Sequence, residues 1–250
     1  MANPVGMPMD PNVALKPNPD RNIGDQSNSY TRLIGELQFI ANATWPDIAH
    51  AISRLSSYTA NPTMQHISTL KHVLRYLSGT RAYGITYSDV LGHPNHFLGY
   101  ANAAFANADE QKSTSRYVFM MAGEVITWHS KKQSITALSS MEAEYITLSE
   151  VAQEVRWLRS LFSELGFTQT LLTMILGDNE GLITMTKNPQ FHKWAKHIGV
   201  PFYSVREQVQ KGEIVVKSCR TQQQTTDVLT KPLPQVKHKQ HVTKMGLAAA

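Results

Sequence analysis

Three acidic side chains stand where a fold places functional carboxylates, and the chemistry they share is that of a hard divalent cation. Glu144 lies in the stretch Ser139–Gly166. There Leu148, Val151, Ala152, Val155, Leu158, Phe162 and Leu165 recur at the three-and-four spacing of an amphipathic helix. At about 100° per residue, Glu144 falls in the middle of that apolar stripe, one turn ahead of Leu148, and Glu142 projects to the opposite face. A carboxylate at the head of a buried stripe is costly unless a metal or a hydrogen-bond donor meets it. An acid favoured by the positive end of the helix dipole explains the same position without any function, and the helix alone leaves both readings open. Asp178 follows the apolar run 172–176, at a strand end where ligands gather in open α/β sheets; a turn or cap role is the plain alternative. Asp227 opens a late helix behind Gln222, Gln223 and Gln224, where an N-cap role competes with a functional one. Converging, such acids suit Mg²⁺ or Mn²⁺. No Cys pair or His-x₃-His spacing suggests zinc, and neither a Gly-x-Ser-x-Gly elbow nor a P-loop occurs.

The elements that must position these acids are legible in outline. Residues 1–28 are rich in proline and lack a periodic apolar face, so a disordered tail is expected there. Three helices are expected over 29–78. Tyr30, Leu33, Ile34, Leu37 and Ile40 line the first; Ile48, Ala51, Ile52 and Leu55 line the second, which Pro46 starts. Asn61-Pro62 is a start signal for the third, which carries Ile67, Leu70, Leu74 and Leu77 and ends at Gly79. From Ala82 strands are expected: 84–88 and 96–103 around a turn at Gly92-His93-Pro94, then 116–122 and 125–130 joined at Gly123. After the long helix come a strand 172–176, a helix 180–187, a helix 202–210, a strand 213–219 and a last helix from Thr225. This order is that of a mixed α/β sheet. The stretch from Pro234 is basic and reads as mobile.

Composition narrows the class. The 250 residues are 42% hydrophobic and 17% charged, ordinary for a globular chain. No run reaches the length of a membrane span, and the polar N-terminus lacks the layout of a signal peptide. The single cysteine, Cys219, excludes an internal disulfide and favours a reducing compartment, so an intracellular location is expected. A net charge of +5 suits a polyanionic partner without specifying one.

The wording of the motifs then becomes recognisable. SYTRLIGELQFIANATWPDIAHAISRLSSYTANPT, LKHVLRYLSGT, KSTSRYVF, ITWHSKKQ, ALSSMEAEY, GDNEGLI, KHI, GEI and DVLTKPLP follow one another in family order. From about Pro4 to Leu247 the chain resembles the C-terminal part of the Pol polyprotein of copia-type LTR retrotransposons. The resemblance implies an α/β fold with a ribonuclease H-like mixed five-stranded sheet and flanking helices over 95–247. A small all-helical remnant of the reverse transcriptase would precede it over 29–88. It further implies hydrolysis of the RNA strand of an RNA–DNA hybrid by four acids and two divalent ions, Mg²⁺ or Mn²⁺. The family's helix acid, in Ala-Glu-Tyr, falls on Glu144. Its Asp-Asn acid falls on Asp178, and its late acid before Leu-Thr-Lys falls on Asp227.

The first acid departs from the family. Gly-Tyr-Ser-Asp-Ala-Asp-Trp is here Gly99-Tyr100-Ala101-Asn102-Ala103-Ala104-Phe105, with Asn102 at the catalytic position and Ala104 at the second aspartate. An asparagine keeps one oxygen and loses the charge that a shared metal ligand supplies. A rate loss of about 10³-fold is expected, and Asp89 or Asp109, in expected loops, would not substitute. Trp45 replaces a usual arginine, and Ala195, Gly199 and Pro201 interrupt the segment around Lys196-His197-Ile198. Neither a Tyr-x-Asp-Asp motif nor a polymerase palm occurs, so DNA synthesis is not expected and the chain reads as a truncated remnant. Binding to the hybrid would rest on Lys112, Arg116, Lys131, Lys132, Lys196 and His197, with Lys193, Lys237 and Lys239 as further cations. Trp128 and Trp194 read as packing, and His192, His238 and His241 as solvated. A reverse transcriptase acting in trans is a further expected partner.

Overall fold

The computed structural model describes residues 3–19, 26–87, 96–106, 112–178, 199–220 and 224–249. In chain order its elements are α1 (Gln26–Ala43), a 3₁₀ turn (Pro46–Ile48), α2 (Ala49–Ser56), α3 (Met64–Gly79), β1 (Tyr83–Ile85), β2 (Leu98–Ala104), β3 (Thr114–Met121), β4 (Glu124–Lys132), α4 (Ser140–Glu164), β5 (Thr173–Gly177), α5 (Gly199–Gln210), β6 (Ile214–Ser218), a 3₁₀ turn (Thr225–Leu229), α6 (Gln235–Lys244) and β7 (Leu247–Ala249). They form two compact units, one of Met1–Thr86 with Asp227–Ala250, the other Tyr87–Thr226. No helix among the described residues is long and apolar enough to cross a membrane.

In the first unit the apolar stripes of α1, α2 and α3 bury Ile34, Leu37, Ile52, Leu55, Leu70 and Val73. Tyr30 keeps its hydroxyl satisfied by donating to Leu55 O at 2.8 Å. The third helix starts later than Asn61-Pro62 suggests, because Thr63 and His66 cap it reciprocally. Thr63 N donates to His66 Nδ1 at 2.8 Å, and His66 N donates to Thr63 Oγ1 at 3.4 Å.

Residues 3–19 are not a disordered tail. Met9 and Leu15 are buried, Arg75 Nε donates to Asn3 O at 2.6 Å, and Tyr58 Oη donates to Leu15 O at 3.1 Å. Nor is the stretch after Pro234 a mobile tail. It forms α6, buries Met245 and Leu247, and pairs β7 antiparallel to β1 with Tyr83 opposite Ala249. The expected pairing of 84–88 with 96–103 is therefore replaced by a long-range one, and Gly92-His93-Pro94 lies outside the described residues. The last 24 residues, expected in the sheet domain, belong with the helices.

The second unit is built on a mixed five-stranded sheet in the order β4-β3-β2-β5-β6, with the strand count expected for the sheet domain. β3 runs antiparallel to β2 and β4, whereas β2, β5 and β6 run parallel. α4 packs across β2 and β3, and α5 packs beside α4. Their shared core includes Phe97, Ala101, Phe119, Tyr145, Leu148, Val155, Ile175 and Ile214. Gly99 is required at the centre of this layer, since a Cβ there would lie 2.6 Å from Ile175 Cδ1 and 2.9 Å from Phe119 Cε1. β3 and β4 turn through Ala122 and Gly123, at φ 53° and 85°. The apolar stripe of α4 ends one turn sooner than its spacing suggests, leaving Leu165 61% exposed beyond the helix. α5 begins at Gly199, so Pro201 falls in its first turn, where a missing N–H costs little. The expected helix 180–187 lies outside the described residues.

Candidate active site

The parallel pair β2–β5 sets the geometry. Leu98 is level with Met174, Gly99 with Ile175 and Tyr100 with Leu176. Continued two residues further, the register brings Asn102 level with Asp178, the first residue past β5. Neighbouring strands lie about 4.8 Å apart and alternate residues share a face, so the two polar positions are neighbours on the face that carries Tyr100. Asn102 is half-buried and Asp178 exposed. Cys219 closes this end of the sheet, its N–H donating to Gly177 O at 2.8 Å. Burial, and then the charge of Asp178, push its thiol pKa up. Gln224 fastens the chain to the same strand by donating through Nε2 to Ala101 O at 3.0 Å.

Glu144 reaches this end of the sheet on α4. Ser139 caps the helix by accepting from Glu142 N at 3.1 Å, and Glu142 accepts from Leu138 N at 2.8 Å. The N-terminal capping role therefore belongs to Glu142, while Glu144 is half-buried with its Oε2 shut off from solvent. A buried polar knot holds the head of the helix to the sheet. Gln133 Nε2 donates to Ala143 O at 2.7 Å and to Ser115 Oγ at 3.0 Å, and Thr147 Oγ1 donates to Ser115 Oγ at 3.0 Å. Ser115 is the register partner of Ala103, next to Asn102. Ala101 and Ala103 face α4, so alternation turns Asn102 to the other face.

Asp227 is carried by the other compact unit. It lies inside the 3₁₀ turn Thr225–Leu229 and pairs with Lys231, Nζ to Oδ2 3.0 Å. Among the described residues, no three His, Cys, Asp or Glu side chains form a group able to hold a metal ion. With Asn102 offering one neutral oxygen beside Asp178, the described residues do not fit a two-metal cage.

The cations expected to contact phosphates divide. Lys131 and Lys132 are exposed at the end of β4, and Lys112 is exposed with Nζ donating to Ser134 O at 3.1 Å. Arg116, expected on the surface, is only 4% exposed, on a strand buried from Thr114 to Met120. Lys237 and Lys239 are exposed on α6, whereas His238 and His241, expected in solvent, are buried at 4% and 8% exposure. Lys196 and His197, with His192, Lys193 and Trp194, lie outside the described residues. Glu150 and Glu154, not singled out from the sequence, line the same flank of α4, and Glu154 accepts from Tyr117 and Thr127. The available signal was a pair of acids one turn apart on a helix otherwise read only for its apolar stripe.

No protein-family model matches the chain. Among curated proteins, it is 36% identical over 247 residues to the Retrovirus-related Pol polyprotein from transposon RE1 of Arabidopsis thaliana, covering 98% of this chain and 17% of that one. The chain belongs to the copia-type retrotransposon Pol polyproteins. The corresponding protein from transposon TNT 1-94 of Nicotiana tabacum is 35% identical over 209 residues, 83% of this chain and 15% of that one. This Pol segment thus spans about a sixth of the length of these relatives. The Secreted RxLR effector protein 161 of Plasmopara viticola is 38% identical over 130 residues, 52% of this chain and 90% of that protein. Solved structures of similar shape include LC11-RNase H1, isolated from compost, at TM-score 0.41 and 11% identity over 52% of this chain and 88% of that one. Another is the foamy viral protease-reverse transcriptase dRH in complex with ds DNA, at TM-score 0.47 and 14% identity over 84% of this chain and 33% of that one.

Proposed function

We propose that this Pol segment engages RNA–DNA hybrids through its ribonuclease H-like domain, and that its hydrolytic step is crippled at the first acid position. The supporting observation is the β2–β5 register, which, continued two residues past Tyr100 and Leu176, sets Asn102 level with Asp178. In the parent activity, carboxylates at such positions hold Mg²⁺ or Mn²⁺, which activate water and stabilise the leaving oxygen. Here Asp178 and Glu144 supply carboxylates to that end of the sheet, and Asn102 supplies a neutral amide. Hybrid binding without efficient cutting is the outcome this arrangement favours. Lys112, Lys131 and Lys132 provide exposed positive charge for the phosphates. The reading extends to an intracellular location and to a reverse transcriptase supplied in trans.

The test is cleavage of an end-labelled RNA–DNA hybrid in Mg²⁺ and in Mn²⁺. Wild type is expected to match the Glu144→Ala blank, and Asn102→Asp, alone or with Ala104→Asp, to cut about 10³-fold faster. Cutting by wild type that Glu144→Ala abolishes would show that the segment is a working nuclease. If no variant cuts although wild type binds the hybrid, the domain is a binding module.

A further inference from the structure

Away from the strand ends, the sheet domain carries a groove of about 430 Å³ between the outer flank of α4 and the edge strand β4. Register brings Tyr117 of β3 opposite His129 of β4, and their rings stack at 5.1 Å with planes 11° apart. Trp157 stands on α4 at one rim, 55% exposed, and Lys131 stands exposed on β4 at the other. A cation, an indole face and a ring pair thus border one nucleotide-sized space.

The acids in the groove differ. Glu154 is engaged, accepting from Tyr117 Oη at 3.2 Å and Thr127 Oγ1 at 2.9 Å. Glu150 has Oε2 shut off from solvent with no hydrogen-bond partner among the described residues. Burial raises its carboxyl pKa, opposed by a hydrogen bond from Ser115 and by the charge of Lys131. Glu150 thus lines the groove with one acceptor that the protein itself does not match, and a small turn of its side chain would offer that oxygen to a ligand bringing N–H groups.

We propose that this groove holds one unpaired nucleotide of a single-stranded RNA or DNA, with a guanine edge on Glu150, its ring against Trp157 and a phosphate on Lys131. Sequence-tolerant single-strand sites combine aromatic platforms with basic residues in this way. Guanine presents two adjacent N–H donors to a carboxylate, whereas uracil has a single N–H between two acceptors. An acidic peptide would meet Glu150 and Glu154 as like charges. The groove uses none of Asn102, Glu144 or Asp178, and it shares only the cations Lys131 and Lys132 with the proposed hybrid contacts.

The experiment is fluorescence anisotropy of the full chain with a labelled, alternating U–G RNA ten-mer, an oligo-U control and a blunt RNA–DNA hybrid. Trp157→Ala and Lys131→Glu, both at exposed positions, are each expected to weaken U–G binding about tenfold at unchanged melting temperature. Glu150→Gln is expected to remove most of the preference for U–G over oligo-U. Hybrid affinity should stay within about twofold for Trp157→Ala. Wild-type binding by both rim variants would overturn the proposal. So would an equal loss of hybrid affinity, which would make the groove part of a duplex surface, and so would equal competition by an oligo-glutamate peptide.

Discussion

Asn102 and Asp178 each lie two residues past Tyr100 and Leu176, the last paired positions of the parallel strands β2 and β5, and the continued register sets an amide level with a carboxylate. Replacing the amide with a second carboxylate sets two like charges at strand spacing, a cost that a divalent cation removes. Asn102→Asp should therefore melt below wild type in chelator and regain its stability with Mn²⁺ or Mg²⁺. A ligand at a hundred times its Kd adds about 2.7 kcal/mol to the folded state. Melting curves with and without metal give the answer without any nuclease assay. A wild type that responds to metal as strongly as the variant would show that Asn102 is not the missing ligand.

Gly99 lies between two core side chains, and there is no room for a methyl group between Phe119 Cε1 and Ile175 Cδ1. Both neighbours are fully buried, so neither has free space to move into. Gly99→Ala should destabilise by about 1–3 kcal/mol, the usual cost of overpacking. Gly84, with nothing within 4 Å of a Cβ, is the matched control, and Gly84→Ala should stay within about 0.5 kcal/mol. Urea midpoints decide it, and equal effects at the two glycines would refute the packing argument.

What was legible in the sequence was local. The stripe from Leu148 to Leu158 and the turn at Gly123 specify α4 and the β3–β4 hairpin by short-range rules, and the structure follows them, whereas the Ser139 cap was not read from the sequence. The family wording placed Asn102 and Asp178 without saying that they are neighbours. That fact lives in the β2–β5 register, between segments about 75 residues apart. The return of β7 to β1 and the anchoring of Asn3 by Arg75 are likewise long-range bonds that no periodicity announces. Burial of Arg116 goes with the burial of every β3 residue from Thr114 to Met120, a pattern that the strand's own sequence does not reveal.

The β3–β4 hairpin carries a local conflict. Ala122 sits at φ 53°, where an L-residue with a Cβ is strained, and Gly123 follows at φ 85°. Two left-handed residues in a two-residue loop form the turn that Asn-Gly suits best. Ala122→Asn or Ala122→Gly should stabilise by about 0.5–1 kcal/mol, and Ala122→Val should destabilise because a β-branched residue tolerates that φ least. Thermal melts of the three variants test the ranking. Stabilisation by valine would mean that the turn relaxes to another type.

In the helical unit, Asp47 is 1% exposed and accepts a short hydrogen bond from Tyr76 Oη, which lies 3.2 Å from His238 Nε2. Burial raises the Asp47 pKa to about 6, against the Tyr76 hydrogen bond. Burial, with His241 second, lowers the His238 pKa to about 4. Near pH 5 the folded chain thus holds a protonated Asp47 and a neutral His238, and the unfolded chain holds the reverse. The raised Asp47 stabilises below its ordinary pKa of 3.8, and this contribution is lost as pH rises through about 6. The lowered His238 stabilises above its ordinary pKa of 6.5, and this contribution is lost as pH falls toward about 4. The two slopes oppose each other in the wild type. On acidification from neutral pH to about 4.5, Asp47→Asn should lose more stability than wild type and His238→Gln should lose less, each by about 2–3 kcal/mol. Buried His66 is common to all three proteins and cancels in the differences. Urea midpoints at the two pH values suffice, and deviations of the same sign in both variants would end the account.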